Sequence, residues 1–132
     1  MKHLTLILTL ILAAGFAFFG AQKFGAENIV FETIANRSGI SLFEPGIRIF
    51  TGIAELVTAL FLVFPKTRLT GALAGLGLLI GAIGFHLSPW LGIDVPQIGH
   101  GLFIAACALF VLSLIVIARL RKHGAKVLLL ER

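Results

Sequence analysis

Two ionisable side chains lie within one long apolar segment, in the sequence Arg48-Ile-Phe-Thr51-Gly52-Ile-Ala-Glu55. Seven residues separate Arg48 from Glu55, which is about two helical turns, so both groups project from nearly the same face of a helix. Thr51 adds a hydroxyl to this face, and Gly52 leaves a gap between the charged groups. An isolated charge in a membrane span costs roughly 2.5–3.5 kcal/mol, so each group needs a partner or a function. The block predicts a polar stripe that accommodates a ligand, a chain of water molecules or a neighbouring helix.

The two charged groups of this stripe differ in predicted depth. Arg48 is close to the start of its segment, where a long side chain can reach the head groups of the lipids. Glu55 lies roughly 10 Å deeper by helical rise, so we expect it to be protonated, paired or hydrated. A structural role in helix packing and a role in ligand binding are both left open for Glu55.

Further polar residues are predicted at the same level of the membrane. Lys23 ends the first apolar segment, His86 ends the third, and His100 precedes the fourth. Polar groups that converge in an apolar pocket are typical of a binding site. The predicted site therefore comprises Arg48, Glu55, Gly52, Thr51, Lys23, His86 and His100. The single cysteine, Cys107, forms no pair, no zinc-ligand spacing is present, and no metal site is predicted.

The elements that must position these residues are four apolar segments, at about 4–21, 45–64, 69–88 and 100–118. Each has roughly the 20 residues that a helix needs to cross a bilayer. Of the 132 residues, 58% are hydrophobic and 13% charged, whereas soluble domains carry about 25% charged residues. The sequence predicts an all-α, integral membrane four-helix bundle at 1–118 and a basic cytoplasmic tail at 119–132.

The distribution of Lys and Arg predicts the orientation of the chain. The net charge is +5, and the basic residues concentrate at the N-terminus, around 66–68 and after 118. This pattern places both termini in the cytoplasm and favours association with lipid over nucleic-acid binding. In the first outer connection, the apolar spacing of 26–35 predicts a helix that lies flat at the interface. Ser41 and Glu44 have the spacing of a capping box, which predicts that the second span starts there.

The third apolar segment is rich in glycine. Gly71 and Gly75, and likewise Gly77 and Gly81, are four residues apart, a spacing that lets membrane helices approach closely. Packing within the bundle is favoured over a dimer interface, and a homo-oligomer is left open.

Four features together resemble the DoxX-like family of small bacterial four-helix membrane proteins, over roughly residues 5–118. They are Gly20-Ala-Gln-Lys23-Phe24, Pro45-Gly-Ile-Arg48-Ile-Phe-Thr-Gly52-Ile-Ala-Glu55-Leu56, Thr67-Arg68-Leu-Thr-Gly71-Ala and His86. The resemblance implies a bundle in the bacterial plasma membrane and an association with redox and sulfur metabolism. It also implies accessory roles beside partner membrane or redox proteins. The chain has no cysteine pair, which argues against a thiol relay.

Three functions are compatible with these features. The favoured one is a non-enzymatic accessory subunit or small-ligand-binding protein, because no catalytic constellation accompanies the polar stripe. A quinone-linked oxidoreductase subunit is the first alternative, and a proton-coupled transporter with Glu55 as the proton carrier is the second. The cofactor is unknown, and both a quinone and a lipid are compatible with the predicted site.

Overall fold

The chain is helical throughout the part that the computed structural model describes, residues 2–130. Within that part there are five α-helices, one 3-10 turn, no β-strand and one isolated bridge between Val95 and Gly99. The elements are α1 (Lys2–Gln22), α2 (Ile29–Ser38), the 3-10 turn (Ser41–Phe43), α3 (Gly46–Val63), α4 (Arg68–Leu87) and α5 (Gly101–Leu130). The ends of the two predicted domain ranges, Met1 and the pair Glu131 and Arg132, lie outside the described residues.

Among residues 2–130, four helical stretches are long and apolar enough to cross a membrane: Lys2–Gln22, Ser41–Val63, Arg68–Leu87 and Gly101–Leu130. Their outward faces carry large exposed apolar side chains, such as Phe50 and Ile104, which lipid accommodates and water does not. The predictions of an all-α fold and of four helices with the length and composition of membrane spans are thus confirmed for the described residues, and these features are typical of a multi-pass membrane protein.

The last helix, α5, is longer than the predicted span at 100–118. It continues without a break to Leu130, so the segment predicted as a basic tail is helical up to that residue. The Arg, Lys, Ala and Leu residues of this segment have high helix propensity, which explains why the helix does not end where the apolar run ends.

The four long helices pack in a ring, in which each helix contacts two others: α1 with α3, α3 with α4, α4 with α5, and α5 with α1. The centre of the ring towards the α3–α4 turn is filled by Leu12, Phe16, Leu62 and Val116, which are all buried. We call this end of the molecule the turn end. The core here is well packed, so it fixes the relative positions of the helices.

The α3–α4 turn brings its two helices into close contact. Thr67 donates a hydrogen bond from Oγ1 to the carbonyl of Phe61 at 2.9 Å, and Arg68 donates from Nε to the carbonyl of Leu62 at 2.9 Å. A Cβ atom added to Gly71 would lie 2.9 Å from the backbone nitrogen of Leu62. Glycine at this position therefore permits a helix separation that any side chain would increase.

The other end of the ring is covered by a lid, which we define as α2, the 3-10 turn and residues 88–100. Its own small core consists of Ile34, Phe43, Leu91 and Val95. Arg37 ties α2 to the α4–α5 connection, because its Nη1 donates to the carbonyl of Leu91 at 2.9 Å. A helix, predicted at 26–35, is present here as α2 and is shifted to Ile29–Ser38.

The start of α2 is capped by a residue that the sequence analysis did not single out. The Asn28 side chain accepts hydrogen bonds from the backbone N–H groups of Val30 and Phe31, which satisfies two donors that an uncapped helix leaves unpaired. At the far end of α2, Gly39 adopts a left-handed conformation with φ 73°. This conformation is common for glycine after a helix and redirects the chain.

The predicted capping box of Ser41 and Glu44 is wrong. Residues Ser41–Phe43 form the 3-10 turn, and α3 begins at Gly46 without a side-chain cap. The carboxylate of Glu44 instead binds the guanidinium of Arg48, which lies four residues further on. Glu44 lies three residues after Ser41 but four residues before Arg48, and the i, i+4 spacing places the opposite charge of Arg48 within reach of its carboxylate.

Candidate functional site

A cavity of about 370 Å³ lies between the four long helices and the lid. Its walls are mainly apolar and include the aromatic rings of Phe16, Phe19, Phe31 and Phe85. This volume is within the range of roughly 300–1,000 Å³ that small-molecule sites occupy. Six polar residues also line the cavity: Gln22, Lys23, Asn28, Thr51, Glu55 and His86.

An ion pair between Lys23 and Glu55 is the most polar part of the cavity wall. The Lys23 Nζ lies 2.7 Å from Glu55 Oε2, and the two side chains are only 14% and 13% exposed. Nζ also donates to the carbonyl of Phe19 at 3.2 Å. Neither charge could stand alone in this apolar setting, because an unpaired ion loses its hydration without compensation.

Two glycines allow α1 and α3 to approach closely enough for this ion pair. A Cβ atom added to Gly20 would lie 3.0 Å from Glu55 Cβ, and one added to Gly52 would lie 3.0 Å from Lys23 Cβ. Each added atom would also lie 3.2 Å from the carbonyl oxygen of the other glycine. The gap that Gly52 leaves in the predicted stripe is therefore occupied by α1, which is one of the three occupants that the sequence left open.

Arg48 is buried, with only 3% of its surface exposed. Its guanidinium binds the Glu44 carboxylate, with Nη2 at 2.6 Å and Nε at 2.8 Å from Oε1. Its Nη1 donates to the carbonyls of Lys23 and Gly25, at 2.6 Å and 2.7 Å. Arg48 thus holds the chain that leaves α1 against the start of α3. It is absent from the cavity wall and pairs with Glu44 rather than with Glu55.

Thr51 lines the cavity one helical turn from Glu55. Its hydroxyl donates to the carbonyl of Ile47 at 2.8 Å, and the oxygen retains lone pairs that can accept a further hydrogen bond.

The two predicted histidines have different positions. His86 is buried at the cavity wall, where its Nδ1 lies 2.9 Å from the carbonyl oxygen of Gly92 and its ring contacts that of Phe103 at a tilt of 57°. A carbonyl only accepts, so Nδ1 carries the proton and, in the neutral ring, Nε2 is an acceptor. His100 is exposed in the α4–α5 connection and does not line the cavity.

Of the predicted site residues, Lys23, Thr51, Glu55 and His86 therefore share one cavity, whereas Arg48, Gly52 and His100 do not line it. The sequence analysis missed the pairing of Glu44 with Arg48 and the aromatic walls, and the i, i+4 spacing was the available signal for the pair. Within residues 2–130, no group of three or more His, Cys, Asp or Glu side chains converges to hold a metal ion.

Comparison of the chain with protein-family models, with curated proteins and with solved structures finds no match. The resemblance to DoxX-like proteins consequently stays a prediction from the residues quoted above.

Proposed function

We propose that this chain is a non-enzymatic membrane protein that binds one small amphipathic molecule in the cavity beside Lys23 and Glu55. The observation that carries the proposal is the combination of a largely apolar volume of about 370 Å³ with one buried ion pair in its wall. Small-molecule sites typically combine apolar walls with a few polar groups that orient the ligand. The apolar part of the molecule would pack against the aromatic walls, and its polar head would reach the ion pair.

The proposal includes a four-helix bundle in a bacterial plasma membrane with both termini cytoplasmic. Basic residues concentrate at the turn end, where Lys66 and Arg68 connect α3 to α4. Arg121 and Lys122 add further positive charge after the apolar part of α5. The enrichment of Lys and Arg on cytoplasmic flanks supports this orientation. The resemblance to DoxX-like proteins supports the bacterial location and an accessory role beside a partner protein.

A packing role alone accounts poorly for the ion pair. A buried pair of charges loses much of its attraction to desolvation, and apolar residues of similar volume often stabilise a protein as well or better. Lys23 and Glu55 also border an open volume instead of a filled core. Polar groups that border open volume in an apolar environment are positioned to interact with a ligand.

The proposal is tested with a long-chain fatty alcohol that bears a diazirine, added to the protein in phosphatidylcholine nanodiscs. After irradiation, mass spectrometry locates the labelled residues. We expect labelling at cavity residues such as Phe19 and Leu102. Glu55→Gln, which removes one charge of the pair, should reduce that labelling about fivefold or more, since hydrogen bonds to charged groups contribute roughly 1.5–3 kcal/mol.

Two alanines of α4 provide a matched comparison. Ala82 lines the cavity, whereas Ala74 is exposed and does not line it. Ala82→Leu should reduce cavity labelling because it fills the volume, and Ala74→Leu should leave it unchanged. Equal labelling of both variants, or labelling spread evenly over the lipid-facing residues, would overturn the proposal.

A further inference from the structure

The lid covers one end of the cavity. Ile34, Leu91 and Val95 of the lid core are each at most 2% exposed. Phe43 adds a ring that packs edge-on against Phe85 of α4, with ring centroids 5.6 Å apart. Together with the hydrogen bond from Arg37 to the α4–α5 connection, these contacts place apolar side chains over much of this end, beside the polar lining residues Gln22 and Asn28.

The turn end is closed by the main core. Leu12, Leu62 and Val116 are fully buried there, and Phe16 is 2% exposed. A Cβ atom added to Gly75 would lie 2.7 Å from the Phe16 ring, which shows how tightly α4 packs at this level. Interiors of this density contain few voids larger than a water molecule. Access from this end is therefore closed.

The remaining side of the cavity is open. Gly77 and Gly81 line the cavity and are also exposed on the outside of the molecule. A Cβ atom added to either glycine would have no heavy atom of the described chain within 4 Å, beyond its immediate helix neighbours. Gly71 and Gly75, in contrast, contact α3 and α1 closely. The helices thus diverge from Gly77 onwards and leave a lateral opening, which faces the hydrocarbon if the four long helices cross a bilayer.

The charges at the polar side of the cavity are balanced. Lys23 is paired with Glu55 and, behind it, Arg48 is paired with Glu44. A charged head group would therefore approach one attractive and one repulsive charge, and would lose its hydration as well. A hydroxyl can accept a hydrogen bond from the Lys23 ammonium and donate one to the Glu55 carboxylate. The side chain of His86 also lines this cavity.

From these observations we infer that the ligand enters sideways from the bilayer, through the opening at Gly77 and Gly81, and that its head group is uncharged and both donates and accepts hydrogen bonds. This inference rests on the proposed function and specifies the ligand class as a lipid-soluble alcohol or a chemically similar amphiphile. It excludes a free inorganic anion as the occupant, although Lys23 and Arg48 are cationic.

The route is tested with single cysteines in a Cys107→Ala background, which otherwise contains no cysteine. Gly81→Cys and the control Gly84→Cys are each modified with pyrenyl maleimide, which is bulky and dissolves in bilayers. Gly84 is exposed on the same helix but does not line the cavity. Modification at 81 should slow labelling of the cavity by the diazirine alcohol about tenfold or more, and modification at 84 should change the rate less than about twofold.

A second arm uses Thr51→Cys, which introduces a thiol at the cavity wall. A bilayer-soluble maleimide should modify it, and a charged methanethiosulfonate that is confined to water should not. Rapid reaction with the charged reagent, or undiminished labelling after modification at 81, would overturn the lateral route. In both of those outcomes the unmodified protein still labels in its cavity, so the proposed function would stand. Absence of cavity labelling in the unmodified protein would instead remove the proposed function itself.

The head group is tested with three probes that share one diazirine chain and end in a hydroxyl, a trimethylammonium or a sulfonate. The hydroxyl probe should label the cavity about tenfold more than either charged probe, which corresponds to roughly 1.4 kcal/mol. Preferential labelling by the sulfonate would overturn the assignment of an uncharged head and would indicate that Lys23 attracts anions. Preferential labelling by the trimethylammonium probe would overturn it in favour of a cation that binds Glu55.

Discussion

Replacement of Arg48 by Met should destabilise the protein strongly. The substitution keeps a long apolar side chain but removes every hydrogen bond of the guanidinium. Glu44 then retains a mostly buried charge with a 22% exposed side chain, and the carbonyls of Lys23 and Gly25 lose their donor. Breaking a buried ion pair by removal of one partner costs about 3–5 kcal/mol. We expect a loss of that size in the free energy of unfolding.

A double-mutant cycle with Glu44→Gln separates the two contributions to this loss of stability, the unpaired charge of Glu44 and the carbonyls that lose their donor. In the Arg48→Met background, Glu44→Gln removes the unpaired charge and should restore about 1–2 kcal/mol of the free energy of unfolding. The carbonyls of Lys23 and Gly25 still lack a donor in this double variant, and each costs about 1–3 kcal/mol before the structure relaxes. The measurement is reversible unfolding by SDS in mixed micelles, followed by far-ultraviolet circular dichroism. Arg121→Met is the matched control, because Arg121 is exposed, and it should change stability by less than about 0.5 kcal/mol.

A loss below about 1 kcal/mol for Arg48→Met would refute this reasoning, since even an exposed ion pair contributes up to that amount. It would mean that the guanidinium is hydrated or reaches the lipid head groups, which is the alternative that the sequence left open for Arg48. Equal stability of Arg48→Met and of the double variant would show that the unpaired charge of Glu44 costs the protein little stability.

Two further substitutions test the packing of α4 and the attachment of the lid. Gly71→Ala should destabilise by about 1–3 kcal/mol because its Cβ would meet the Leu62 backbone, whereas Gly77→Ala should be neutral or stabilise by up to about 1 kcal/mol through higher helix propensity. SDS unfolding of both variants measures this contrast, and equal effects would contradict it. Arg37→Met should remove the hydrogen bond to Leu91 and loosen the lid by about 1 kcal/mol. Faster amide hydrogen exchange confined to α2 and residues 88–100 would report this change, and unchanged exchange would contradict it.

The sequence predicted the spanning helices well because the signal for them is local. A run of about 20 apolar residues has few structural alternatives in lipid. The partners of polar side chains are harder to predict, because they depend on which residues of other segments come close in the fold. Arg48 and Glu55 share a face of α3 as predicted, yet each binds another residue: Arg48 binds Glu44, and Glu55 binds Lys23 of the segment after α1. The spacing within one helix carries no information on such partners.

The cavity could not be predicted for a related reason. Gly71 and Gly75 have the same spacing as Gly77 and Gly81, so the two pairs are equivalent as sequence patterns. In the structure the first pair packs against neighbouring helices, which confirms packing within the bundle at those positions, and the second pair borders open volume. The difference arises from the divergence of the helices beyond the α3–α4 turn, and no residue within α4 encodes it alone.

The length of α5 has a mechanical consequence. Its 30 residues span about 45 Å at the usual helical rise, whereas the hydrocarbon layer is about 30 Å thick. Leu102, Ala106 and Leu109 of this helix form part of the cavity wall, and the same unbroken rod continues to Leu130. A change in the cavity wall that tilts α5 would therefore also displace the C-terminal turns of this helix. A molecule in contact with those turns would be displaced with them.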